Sequence, residues 1–155
     1  MSSTVLPVVR NLLKRRVENG NFDKILEKVT IVKAGGGNLT AEVVIDKEHS
    51  NRSGGLHGAF IATLVDVMST LALASSEVEL ISGDVADFSE SASASVALNV
   101  TYIRPMTIGQ TLLIECSTLN RGRTMAYLNV DLLNKDEGKL IARGTHSKML
   151  FNKSK

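Results

Sequence analysis

The residues of this chain best suited to chemistry lie between Asn51 and Asp66: an amide, a glycine-rich turn, a histidine and one acid. Asn51-Arg52-Ser53-Gly54-Gly55-Leu56-His57-Gly58-Ala59-Phe60 leads straight into an apolar run that reads as a helix. Glycines at a helix start let a ligand approach the backbone closely. The first helical N–H groups have no internal acceptor and sit at the positive end of the helix dipole. A carbonyl oxygen gaining negative charge fits there, with the Gly58 amide as its natural donor. The same glycines equally suit a tight loop that binds nothing, the commoner use of such a sequence. Asp66 stands nine residues beyond His57, inside the apolar run. An acid among apolar residues needs a partner or a task, and Thr63, Asp66, Ser69 and Thr70 share one helical face. Hydroxyls, or an arginine across an interface, would satisfy it; the expectation carried forward is a general base in a partly desolvated site.

The remaining candidates carry less. His57 reads as a hydrogen-bonding group for a substrate or as a cap on the helix start. His49, beside Asp46, Lys47 and Glu48, reads as a solvated loop residue, and His146 falls on an alternating strand without a clear partner. Cys116 reads as packing, since nothing nearby marks an activated thiolate. A single cysteine excludes an internal disulfide framework or a multi-cysteine zinc site, and three separated histidines argue against a histidine-rich metal cluster.

At 155 residues and 16.7 kDa the chain suits one domain, 1–155, and 43% apolar with 22% charged residues argues against disorder. Residues 1–52 hold nine Lys/Arg against six Asp/Glu, and residues 104–155 hold nine against four, whereas 53–103 hold six acids and no base. With 4% aromatics and no Trp, no basic stripe interleaved with aromatics is present, which argues against nucleic acid. The apolar stretch Ala59 to Ala74 is broken by Thr63, Asp66, Ser69 and Thr70, so it reads as a buried helix and not as a transmembrane segment. Val5, Val8, Val9, Leu12, Leu13 and Val17 follow helical spacing among Arg10, Lys14, Arg15 and Arg16. This N-terminal segment, 1–28, suits a mitochondrial transit helix and an ordinary docked helix equally, leaving cytoplasm and mitochondrion both open.

The elements that must position the candidate residues follow from periodicity. A helical turn over Asn21 to Lys28 precedes a hairpin, Thr30 to Lys33 and Leu39 to Asp46, around Gly35-Gly36-Gly37-Asn38. After the buried helix, residues 76–94 read as an acidic, Ser-rich solvated loop. Four strands follow, near Ala94 to Arg104, Gln110 to Leu119, Thr124 to Leu133 and Lys139 to Phe151, separated by turn-like segments. Short connections imply antiparallel neighbours. The expectation is an α+β chain of the hot-dog type, a six-stranded antiparallel sheet wrapped around one long helix.

Leu56-His57-Gly58-Ala59 with Asp66 resembles the His-Gly-Gly…Asp signature of hot-dog acyl-CoA thioesterases. The likeness continues through Ala62 to Asp66, Ser95 to Tyr102 and Gly138 to Ala142, and runs from the first helix to Leu150. The resemblance implies hydrolysis of medium- or long-chain fatty acyl-CoA to fatty acid and CoA, with no cofactor. By the same resemblance Asn51 and the Gly58 amide hold the thioester carbonyl, Asp66 is the base, Ser95 orients the water, and His57 supports the site. It further implies that CoA lies along Ser95, Ala97 and Tyr102, along Asn120, Arg121, Gly122, Arg123, Thr124 and Met125, and near Met149. It also implies a homodimer or homotetramer with sites at the dimer interface. Two positions depart from the pattern: Ala59 replaces its second glycine, and Ala97 stands where a related enzyme carries an acid. A non-catalytic acyl-CoA-binding protein is the alternative, and a hot-dog hydratase a further one.

Overall fold

Alternating burial along most of the sheet strands and near-complete burial of one helix define how this chain folds. The computed structural model describes residues 4–80 and 92–151. In order, the elements are α1 (Val5–Glu18), a 3-10 turn (Phe22–Leu26), β1 (Thr30–Gly35), β2 (Asn38–Val44), a second 3-10 turn (Lys47–His49), α2 (Gly58–Val78), β3 (Ser93–Tyr102), β4 (Thr111–Arg121), β5 (Met125–Asn134) and β6 (Leu140–Leu150). All strand pairs are antiparallel, in the order β1-β2-β4-β5-β6-β3.

Leu39, Ala41 and Val43 of β2, Leu112 and Ile114 of β4, and Leu128, Val130 and Leu132 of β5 turn one face of the sheet inward. That face wraps α2, whose Leu64, Val65, Met68 and Leu71 are fully enclosed. α2 is long and apolar enough by composition to cross a membrane, yet 72% of its most apolar window is buried inside this fold. α1 covers the core with Val5, Val9, Leu12 and Leu13. Gly144 of β6 lets the strand press on α2: a Cβ there would lie 2.5 Å from Val65 Cγ2. At the other end, the β1–β2 turn holds α2 through Gly37 N–H to Ser75 Oγ (3.1 Å) and Gly36 N–H to Glu79 Oε1 (2.9 Å).

Three expectations change. β3 does not pair with β4 despite the short connection between them; it pairs with β6 at the sheet edge. The connection crosses the start of α2 instead, where the Leu56 N–H donates to the Met106 carbonyl and Gly55 bridges Thr107. Of the loop expected over 76–94, residues 76–78 belong to α2 and 93–94 to β3, while 81–91 lie outside the described residues. His49 is not solvated. Its ring is wholly buried, because it closes a capping box with Asp46 and stacks on Phe60.

Candidate active site

The start of α2 presents hydrogen-bond donors that the fold itself leaves unused. His57 is the N-cap, and its Nδ1 accepts the Ala59 N–H at 2.9 Å. With that donor taken by the cap, the Gly58 N–H, first in the helix, has no acceptor within the helix. Asn51 turns its Oδ1 back onto its own loop, accepting from Ser53 N–H (2.9 Å) and Gly55 N–H (3.1 Å). Its Nδ2 makes no such contact among the described residues, so the amide offers a second donor. Tyr102 lies against Gly58: its hydroxyl donates to the Gly58 carbonyl at 3.0 Å, and a Cβ on Gly58 would sit 3.2 Å from its ring. Beside this corner opens a cavity of about 410 Å³ lined by Leu56, Gly58, Ile61, Tyr102, Ile103 and Met106 among others.

A second cluster forms two turns along α2. The Ser69 and Thr70 hydroxyls donate back to the Asp66 main-chain carbonyl (3.1 and 2.8 Å), as such side chains do in helix interiors. They do not reach the carboxylate, which stays half exposed and without a hydrogen bond among the described residues. Its ionisable neighbour is His146, whose Nε2 lies 3.8 Å from Asp66 Oδ1. His146 is buried on β6, with Nδ1 2.8 Å from Ser69 Oγ and Nε2 2.8 Å from Ser95 Oγ. Because Ser69 gives its hydrogen to the Asp66 carbonyl, the network assigns the Nδ1–H tautomer, and Ser95 donates to Nε2. Burial, then the nearby Lys148 cation, hold the His146 pKa below the ordinary imidazole range, while Asp66 opposes them. Lys148 is itself buried, its ammonium 2.7 Å from Thr70 Oγ1. A bulge at Val96, just after Ser95, keeps Ser95 on the inward face of β3.

The other expected contacts fall at the far end of the sheet. Ala94, Met149 and Met125 lie side by side across β3, β6 and β5, next to the Arg121-Gly122-Arg123-Thr124 turn. Asn120 opposes Tyr127 just before this turn, and Ala97 opposes Ser147. Arg121 is engaged within the fold, its Nη2 2.8 Å from Glu77 Oε1 at the end of α2, whereas Arg123 is exposed. Tyr102, at the opposite end of β3, joins Gly58 instead. Cys116 is buried packing, as expected, and burial pushes its thiol pKa up. Among the described residues, no group of three His, Cys, Asp or Glu is arranged to hold a metal ion.

The thioesterase superfamily profile aligns with residues 53–141, which include the start of α2, Asp66 and most of the sheet. The chain belongs to the thioesterase superfamily. It is 39% identical over 150 residues to acyl-coenzyme A thioesterase 13 of Mus musculus, covering 97% of this chain and 99% of that one. The Homo sapiens protein of the same name is 38% identical over 144 residues, 93% and 95% of the two chains. The crystal structure of zebrafish thioesterase superfamily member 2 superposes with a TM-score of 0.85 at 38% identity, covering 96% and 100%. The fold is therefore the hot-dog fold, and the chain is by family a thioester hydrolase.

In this thioesterase, the sequence singles out Gly58 and Asp66, and the family resemblance adds Asn51 and Ser95, whereas His146, expected to lack a clear partner, sits between Ser69 and Ser95. The missed signal was composition: on β6 the inward positions carry Gly144, His146 and Lys148, where the inward positions of β2, β4 and β5 are mostly Leu, Ile, Val or Ala. An imidazole and an ammonium on a core-facing strand face call for partners across the layer.

Proposed function

We propose that this chain hydrolyses fatty acyl-CoA, and that each site is built by two copies of it. The single observation that carries the reading is the separation, on one helix, of unused donors from an unbonded acid. Eight residues at 1.5 Å rise put Gly58 and Asp66 about 12 Å apart along α2. A base must come within hydrogen-bond reach of the water it activates, so one chain cannot hold a carbonyl at Gly58 and attack it through its own Asp66.

A two-fold partner removes the difficulty. β3 is a ten-residue edge strand with Val96, Leu98 and Tyr102 exposed, an open template for another strand. Antiparallel self-pairing about Leu98 would bring the Tyr102 end of one copy, with Gly58 and Asn51, against the Ser95 and Asp66 end of the other. The acyl-CoA class is supported by the named mouse and human relatives, which match this chain over nearly all of its length.

In this mechanism the thioester carbonyl accepts from the Gly58 N–H and Asn51 Nδ2, which stabilise the developing oxyanion. Ser95, with its hydrogen given to His146, offers lone pairs to one water hydrogen. Asp66 of the second copy takes the other proton as the water oxygen bonds to the carbonyl carbon. The tetrahedral intermediate then collapses with cleavage of the C–S bond, and Asp66 returns its proton to the departing sulfur, releasing carboxylic acid and the CoA thiol. His57 keeps the donors in place as the helix cap. The apolar cavity beside Gly58 receives the acyl tail, and the 120–125 turn with Met149 carries CoA, where Arg123 is the exposed cation for a phosphate. No cofactor enters.

The test is CoA release from a chain-length series of acyl-CoAs by the wild type and Asp66→Ala. Release by the wild type that falls about 10²–10⁴-fold in a folded, CoA-binding variant is the expected result. Binding of acyl-CoA by both proteins with release by neither would make this a binding protein instead.

A further inference from the structure

His49 is a buried imidazole that this mechanism does not use, and its contacts converge on the donor half of the site. Its Nδ1 accepts the Asp46 N–H at 3.1 Å. Its ring lies flat on Phe60, in the first turn of α2, with centroids 4.3 Å apart and planes 15° from parallel. Its main-chain carbonyl accepts the N–H of His57, the cap of α2, at 2.9 Å. Two residues on, Asn51 closes its loop by donating to the Gly55 carbonyl at 2.8 Å, while Ser50 bridges Leu56. One residue thus braces the loop carrying Asn51 through its chain and the helix carrying Gly58 through its ring.

The ring's other nitrogen is the telling feature. Because Nδ1 is an acceptor, Nε2 carries the hydrogen, and it is buried with no hydrogen-bond partner among the described residues. Glu48 Oε1 stands 3.7 Å away, outside hydrogen-bond range, and is engaged by Lys28 at 3.0 Å. Lys28 also pairs with Asp46, and the Ile25 carbonyl exerts only a weak pull on the ring. An orphaned buried N–H is costly, and a Glu or Gln would serve a capping box without it. What neither replaces is a rigid ring that caps at one edge and stacks on Phe60 with its face.

We infer that His49 is a positioning residue for the two oxyanion donors, fixing the spacing of Asn51 Nδ2 from the Gly58 N–H. This deepens the hydrolytic reading and rests on it. A shift of about 1 Å in donor geometry costs on the order of 10²-fold in rate.

Two variants separate the ring's tasks: His49→Gln keeps a capping acceptor, and His49→Phe keeps the stack. With folding verified by thermal melting, each should lower kcat for acyl-CoA hydrolysis about 10- to 100-fold and leave KM within about twofold. The loss should shrink to near nothing in an Asn51→Ala background, yet persist in full on top of Ser95→Ala, since only coupled residues depart from additivity. Equal losses in both backgrounds, or an unchanged kcat, would overturn the assignment. A second readout does not depend on activity: the Gly58 amide and Asn51 side-chain amide signals in ¹H–¹⁵N spectra should move in both variants, while those of Leu98 and Val130 should not. If the wild type releases no CoA, the hydrolytic reading falls and these spectra alone decide. Unmoved Gly58 and Asn51 signals would then overturn the positioning role.

Discussion

His146 and Ser95 lie on adjacent strands, β6 and β3, and share a 2.8 Å hydrogen bond in which the Ser95 hydroxyl donates to the imidazole Nε2. Ser69 on α2 completes the line at Nδ1, so a strand edge is tied to the central helix one turn from Asp66. In the proposed mechanism this line fixes where the attacking water stands. Replacing His146 with Gln, or Ser95 with Ala, should leave acyl-CoA binding intact and lower kcat by about tenfold or more. The double variant should lose little beyond either single one, because the two act as a unit. Steady-state kinetics on the three variants checks this, and full additivity would show that the pair is not one device.

Shared sites make a stoichiometric prediction. In the proposed two-copy site, Asn51→Ala and Asp66→Ala each remove one half. After subunit exchange of equal amounts, half of the dimers are mixed, and each mixed dimer regains one intact site. Activity should rise to about a quarter of the wild-type value. Recovery absent despite exchange, followed by mass spectrometry, would place both halves within a single chain.

Gly144 has no room for a methyl group, since a Cβ would meet Val65 Cγ2 at 2.5 Å and Cγ1 at 2.6 Å. Gly144→Ala must therefore push β6 off α2, and overpacking of this kind costs about 1–3 kcal/mol. Val65 precedes Asp66 and Gly144 stands two residues from His146, so hydrolysis should fall along with the melting temperature. Calorimetry and kinetics on one preparation test both, and a variant as stable as the wild type would show that the layers are looser than described.

Both buried histidines make stability depend on pH. His49 is held below the ordinary imidazole pKa chiefly by burial, with Lys28 adding to it, and His146 by burial and then Lys148. Below about 6.5 the unfolded chain therefore binds more protons than the folded one, and stability rises with pH. The contribution is complete above about pH 6.5 and is lost as pH falls through the lowered folded-state values. Melting temperatures between pH 7.5 and 5 should decline toward acid, and His49→Gln and His146→Gln should each flatten the decline. Parallel curves for wild type and variants would remove the histidines as its cause.

The legible parts of the site were those that contradict their own neighbourhood. Asp66 stands out in an apolar helix, and Gly54, Gly55 and Gly58 crowd a helix start, so both could be read locally. His49 and His146 look ordinary in their own stretches. Their meaning lies in Phe60 and in Ser69, the latter 77 residues away, and no local period carries that information. The strand count was equally readable, but the neighbour of β3 was not. A short connection predicts a hairpin, whereas residues 103–110 hydrogen-bond to the Asn51 loop and carry the chain across the start of α2. The reach of Arg121 to Glu77 escaped notice for the same reason, since it joins a hairpin to the far end of the helix.

The sheet order also has a consequence for synthesis. β1, β2, β4 and β5 can zip together as they leave the ribosome, each finding its partner already made. β3 cannot: its partner β6 begins only at Leu140, which at 5–20 residues per second emerges about 2–8 s after Tyr102. Until then Ser95 has no imidazole to meet and an apolar strand stands unpaired on both edges. Nascent chains arrested before Leu140 should thus hold a protease-sensitive β3, and those released beyond Leu150 a protected one, making the Ser95–His146 corner among the last parts of the molecule to exist.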